Sequence, residues 1–263
     1  MRRAAVAVLL IAALLPLVPL IIWAVAAQWR FPDLWPQRLS GRGLSILTDP
    51  SSQVPTGLAT STGIGLIVAV LACLIGFPAG RAIGLHSFRG RRLVQFLLLA
   101  PVLVPGLAVT LGLQVFFVRV GLADTVPGVV LVQLMPTVPY AATVLGAAFA
   151  NFDPDTERQA RVLGAGPIRT TLLVTVPLLA PAIAVAALLT FLISWSEYLL
   201  TLLIGGGQVQ TLPLLLFSAI SSSDTTAAAA LGVAVIVPPL VLAAVIGRLL
   251  SGRSGPAIGL GRL

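Results

Sequence analysis

The stretch GLATSTGIGLIVAVLACLIGFPAG, residues 57–80, holds no charged side chain and ends against Arg81. A helix needs about 20 predominantly apolar residues to cross the ~30 Å hydrocarbon core of a bilayer, and this stretch is long enough. Without water, a spanning segment has to satisfy its own backbone N–H and C=O groups, which an α-helix does internally. The alternative, a closed β-barrel, is written as segments of about ten alternating residues, and the sequence has no such series.

Five further runs of the same kind lie at about 4–27, 93–118, 125–150, 172–195 and 227–250. The expected fold is therefore all-α: a polytopic membrane helix bundle of about six transmembrane spans, with residues 1–263 forming a single transmembrane domain. A composition that is 58% hydrophobic and 9% charged leaves too little polar surface for a soluble domain of this size. The first run follows Arg2-Arg3 and ends in Ala24-Val25-Ala26, as a cleavable signal peptide would. Its apolar part exceeds the about 7–15 residues of a signal core, so it reads as an uncleaved first span. Residues 198–220 are apolar too, but Gly205-Gly206-Gly207, Gln208 and Gln210 interrupt them, and they read as a re-entrant or periplasmic element.

The net charge is +8, and every basic residue is an arginine. In a soluble protein such a balance would point to nucleic acid. Here the arginines flank apolar runs, so they report topology instead. With a cytoplasmic N-terminus, Arg2, Arg3, Arg81, Arg89, Arg91, Arg92, Arg158, Arg161, Arg169, Arg248, Arg253 and Arg262 fall inside. Only Arg30, Arg38, Arg42 and Arg119 fall outside, and both termini are then cytoplasmic. An intramembrane enzyme would need a nucleophile with a base, a metal cluster or paired aspartates. With one histidine, His86, one cysteine, Cys73, and no H-E-x-x-H or G-x-x-x-x-G-K-[ST] motif, the chain is assigned no catalytic residue, metal ligand or cofactor.

Between the fourth and fifth runs, the loop 151–171 is too polar to cross a bilayer. Asp153 reads as an N-cap with Pro154 at the first helical position, Asp155 and Glu157 fill the first turn, and Gly164 sits where a helix stops. The expected helix has about ten residues and is ~15 Å long. Pro167 reads as the start of a second helix that runs into the fifth span, bent or interrupted at Pro177 and Pro181. A short cytoplasmic helix joined to a span can pass a push from a soluble partner into the membrane; an ordinary polar loop that happens to be helical is the alternative.

These residues resemble the signature of type I ABC-importer permeases, in which E-A-A is followed after three residues by G and nine residues later by I-x-L-P. Ala160 matches the second alanine, Gly164 the glycine, and Val174-Thr175-Val176-Pro177 the final block, with Pro181 matching a further family proline. Arg158 stands where the family has its glutamate, and Gln159 at the first alanine. Glu157 comes one position early, which turns it by ~100° around the helix. The six-run pattern and Thr211-Leu212-Pro213 also look like this family.

The resemblance implies a coupling helix that docks on an ATPase, with Glu157, Arg158, Ala160, Leu163, Gly164, Val174 and Pro177 as the ATPase-coupling residues. It also implies two ABC ATPase subunits carrying ATP and magnesium, a second permease that is a different chain, and an extracytoplasmic substrate-binding protein. The location would be the bacterial cytoplasmic (inner) membrane, in contact with lipid and not with nucleic acid. Glu197, between Trp195 and Tyr198, is either a carboxylate lining the translocation pathway or a solvated acid in the outer aromatic belt. In the first case the cargo is a polyamine or another small cation. The Trp-x-Glu-aromatic arrangement also resembles sugar-importer permeases, and an ion-coupled secondary transporter is the remaining alternative.

Overall fold

The structure, a computed structural model, describes residues 12, 14–30, 32–103 and 106–251. It is almost entirely helical. Among the described residues, four helices are long and apolar enough to cross a membrane. They are α3 (Val54–Leu85), α6 (Val126–Ala150), the continuous run Pro167–Trp195 and α12 (Thr225–Ser251). At 1.5 Å per residue the 32 residues of α3 extend ~48 Å, more than the ~30 Å hydrocarbon core requires.

One of the expected runs takes a different form at its end. Residues 4–11 and 13 of the run 4–27 lie outside the described residues, as do Arg2, Arg3, Arg253 and Arg262. Its described end is α1 (Leu17–Ala24), after which the chain becomes strand β1 (Ala26–Gln28), paired antiparallel with β2 (Arg38–Leu39). The alanines at 26 and 27 fit the apolar pattern of a span. Their backbone bonds sideways instead: the Ser40 N–H donates to Val25 O at 2.8 Å and the Thr226 hydroxyl to Ala26 O at 2.7 Å. The run 93–118 is described as α4 (Arg91–Leu103) and α5 (Gly106–Arg119), on either side of residues 104–105, which lie outside the described set. The interrupted segment after Tyr198 forms two helices of 7 and 10 residues, α10 (Leu199–Gly205) and α11 (Leu212–Ser221), each too short to span. Gly206 and Gly207, at φ 52° and 77°, end α10 in a left-handed turn.

The described residues divide into two compact units, one reaching Thr62 and including Val209–Leu240, the other made of Gly63–Gln208 and the chain from Val241. In the first, Arg42 at the start of α2 (Arg42–Thr48) pairs with Asp224 at 2.5 Å, and the Leu212 N–H at the start of α11 donates to the Ser61 hydroxyl at 2.8 Å. In the second, α3 lies on α6 along Gly76, Gly80 and Gly84, one helical turn apart. A methyl group on Gly76 would come within 2.7 Å of Ala141 Cβ, on Gly80 within 2.8 Å of the Gly146 nitrogen, and on Gly84 within 2.5 Å of Phe149 Cβ. Small residues at this spacing let two membrane helices meet backbone to backbone, where dispersion replaces the absent hydrophobic drive.

Gly84→Ala should therefore force α3 and α6 apart and cost about 1–3 kcal/mol, measured as a lower melting temperature in detergent. Gly63→Ala on the same helix, where the added methyl meets nothing within 4 Å, should leave the melting temperature unchanged or raise it.

Candidate coupling site

The loop after α6 forms α7 (Asp155–Val162). It has eight residues rather than ten, because Pro154 occupies the capping position and the helix begins one residue later than the sequence suggests. The Asp153 carboxylate still caps it, accepting the Asp155 N–H at 2.9 Å. At the other end Gly164 adopts φ 87°, the Gly164 N–H reaches Arg161 O and the Ala165 N–H reaches Ala160 O, both at 3.0 Å. This pair of bonds is a Schellman stop, and it requires a glycine at the left-handed position.

Pro167 opens α8 (Pro167–Thr170) as expected. The helix then widens into a π-turn at Thr171–Thr175 and continues as α9 (Val176–Trp195). The anticipated interruption is thus a π-turn ahead of Pro177, while Pro181 is accommodated inside α9. The wide turn falls where Pro177 can supply no N–H to the ladder.

These elements converge on Glu157. It is 5% exposed, and its carboxylate faces inward instead of toward solvent. Arg81 of α3 donates to it twice, Nη1 to Oε1 at 2.8 Å and Nη2 to Oε2 at 2.6 Å, and the Thr175 hydroxyl donates to Oε1 at 2.6 Å. Arg161 lies 3.6 Å from Oε2. The Arg81 hydrogen bonds hold the Glu157 carboxyl below its usual pKa against the opposing effect of burial, with Thr175 and the charges of Arg81 and Arg161 adding to the same side. Arg81 also sits over the Phe149 ring, 5.9 Å from its centroid.

The remaining coupling candidates face outward or serve the backbone. Arg158 is exposed and pairs with Asp155 in its own helix. Leu163 is 87% exposed and its neighbour Val162 86%, side by side at the end of the helix. Ala160 and Gly164 form the helix stop, Val174 is half-buried in the π-turn and Pro177 is exposed. Glu157 and Arg158 are adjacent, yet one points into the protein and the other out of it.

The pathway residues expected from the sequence lie at the far end of α9, 20 residues or ~30 Å away. Trp195 is buried and stacks on Phe191, their centroids 5.6 Å apart. Half-buried Glu197 accepts the Leu200 N–H at 2.9 Å, capping the first turn of α10, and half-buried Tyr198 begins that helix. Beside them is a polar cluster absent from the sequence-derived site. Gln133 of α6, 1% exposed, donates to the Thr201 hydroxyl at 2.9 Å and accepts from Ser194, while Thr201 donates to Glu197 O at 3.1 Å. The available signal was one amide in an otherwise apolar run, since a buried polar group in a span has to find partners.

A carboxyl with a lowered native pKa stabilises the fold above its unfolded pKa, and that stability disappears as pH falls through the native value. The Glu157 contribution should thus be intact at neutral pH and vanish only below about pH 4.3, the unfolded value. Glu157→Gln should lower stability at pH 7 by about 1–3 kcal/mol and flatten this acid limb, both read from melting temperature against pH.

The family model for the inner membrane component of binding-protein-dependent transport systems matches residues 74–254. The chain is 32% identical over 213 residues to the molybdenum transport system permease protein ModB of Mycobacterium tuberculosis, covering 74% of this chain and 75% of ModB. It is 35% identical over 147 residues to the trehalose transport system permease protein SugB of Mycobacterium tuberculosis, 56% of this chain and 54% of SugB, so the chain spans about half the length of that relative. The putrescine transport system permease protein PotI of Escherichia coli K12 is 27% identical over 193 residues, 71% of this chain and 67% of PotI. Among solved structures, a bacterial ABC transporter involved in the import of the acidic polysaccharide alginate matches 94% of this chain and 94% of its own, with a TM-score of 0.70 at 18% identity. A bacterial alginate ABC transporter in complex with an alginate pentasaccharide-bound periplasmic protein matches 97% and 96%, with a TM-score of 0.65 at 15% identity. The family match takes in the α7 loop, the π-turn and all of α9, and the chain belongs to the inner-membrane components of binding-protein-dependent transport systems.

Proposed function

We propose that this chain is the membrane-spanning permease subunit of an ATP-driven importer, providing part of the solute path and receiving its motion from a separate ATPase. The observation that carries the proposal is the two-sided α7. Glu157 anchors it to the protein interior, while Arg158, Val162 and Leu163 are left exposed at its outer end. Apolar side chains held in water on a rigid, capped helix serve a surface that covers them. The partners follow from the proposal: two ATPase subunits carrying ATP and magnesium, a second and different permease chain, and an extracytoplasmic binding protein. Both termini would be cytoplasmic, placing α7 on the ATPase side.

The cargo reading rests on Glu197. One of its oxygens holds the Leu200 N–H, and the other has no protein partner among the described residues, leaving it for a small cation such as a polyamine. The 35% identity to the trehalose permease favours a sugar as the second reading. In a reconstituted complex, Glu197→Gln should depress uptake of putrescine if the cargo is cationic and leave trehalose uptake unchanged if it is a sugar.

Purification in nanodiscs tests the principal proposal. The wild type should retain an ATPase whose activity rises with loaded binding protein. Leu163→Asp should lower ATPase recovery at least about tenfold, the effect expected from losing an interface residue worth ~1.4 kcal/mol or more. A wild type that recruits no ATPase would overturn it.

A further inference from the structure

A short helix is a poor lever unless it is stiffly joined to what it moves. α7 continues into the fifth span through Gly164, Ala165 and Gly166, and added methyl groups at both glycines would meet nothing within 4 Å. That connection is held by the Ala165 N–H on Ala160 O and by the Thr170 hydroxyl on Gly166 O at 3.1 Å, local bonds that tie α7 to the chain that follows it and to no other span. The connection to other spans is made by side chains. Arg81 and Glu157, 76 residues apart in sequence, form a two-pronged planar pair that fixes orientation as well as distance. The Thr175 hydroxyl ties the same carboxylate to the last residue of the π-turn.

The junction reaches further on the Arg81 side. Arg81 follows Gly80 in the ridge where α3 and α6 touch backbone to backbone, and its guanidinium covers Phe149 of α6. Phe149 in turn packs edge-on against Phe77 of α3 and Phe152 of the loop, with centroids 5.1 and 6.1 Å apart. A displacement of Glu157 therefore meets α3, α6 and α9 together.

Resting on the permease reading above, we infer that Glu157, Arg81 and Thr175 are positioning residues that transmit the movement of α7 to three spans at once, rather than only to the span that follows it in sequence. The outer face of α7 determines whether the ATPase binds; the inner junction determines whether its work arrives. These are separable properties of one eight-residue helix.

The experiment uses the complete reconstituted complex and reads three quantities: ATPase recovered per permease, basal hydrolysis, and solute imported per ATP hydrolysed with loaded binding protein. Arg81→Lys keeps the charge but loses the two-pronged geometry, and Thr175→Val keeps the shape but loses the donated hydrogen bond. Both should retain the ATPase and its basal rate, while solute imported per ATP falls about tenfold, within the range of measured coupling energies. Glu157→Gln should show the same split more strongly, and if it does not fold, the two milder variants still decide. Wild-type solute per ATP in both milder variants would overturn the inference while leaving the permease proposal in place. Loss of the ATPase in either would do the same, since the junction would then serve docking. A wild type without bound ATPase would overturn both.

Discussion

α3 and α6 touch at Gly76, Gly80 and Gly84 so closely that any side chain at Gly84 would overlap Phe149. The candidate site around Glu157 depends on this contact. Gly80 sets the distance between the helices, and the next residue, Arg81, leaves α3 at a height where its guanidinium covers Phe149 and reaches Glu157. Larger residues in the ridge would lift Arg81 from the ring and leave a carboxylate that is 5% exposed without its main partner.

A buried carboxylate is costly to desolvate, and a buried ion pair is often no more stabilising than well-packed apolar side chains. Stability alone is therefore a weak reason to keep Glu157 inside. A two-pronged arginine and a hydroxyl donor give direction instead: the pair is strong in one relative orientation of α3, α7 and the π-turn and weak in others. The Gln133, Ser194 and Thr201 cluster at the other end of α9 has the same character, with polar groups in a dry setting joining three helices at defined points. Apolar contacts, being non-directional, would allow those helices to slide.

The long helices were legible because a bilayer demands one thing of a sequence, a sufficient apolar run, and α3, α6, α9 and α12 meet it over most of their length. The end of the run 4–27 was not, because hydropathy weighs side chains and does not register which partners the backbone finds. Ala26 and Ala27 misled there: alanine suits a span, and only the bonding partners of its backbone reveal a strand. At the site, the glycine stop and the proline start could be read locally, since each is fixed by the backbone angles of its own few residues. Glu157 could be singled out as the acid one position ahead of the motif, but its inward direction depends on Arg81, 76 residues away, which the sequence presented only as a topological charge. Thr175 lay inside the motif and passed as a spacer, because the π-turn that aims its hydroxyl is not encoded by any single residue type.

The π-turn at Thr171–Thr175 has a bearing on the opposite end of α9. Such a turn closes its hydrogen bond over one residue more than an α-turn does, so everything after it is rotated by ~100° relative to an unbroken helix. The angular phase between Glu157 at one end of this run and Ser194 at the other is thus set in five residues. Removing one residue there would turn Ser194 away from Gln133, and adding one elsewhere in α9 would do so as well. α9 resembles a shaft whose keyway is cut at the Glu157 end, and its length can vary only in steps that restore the phase.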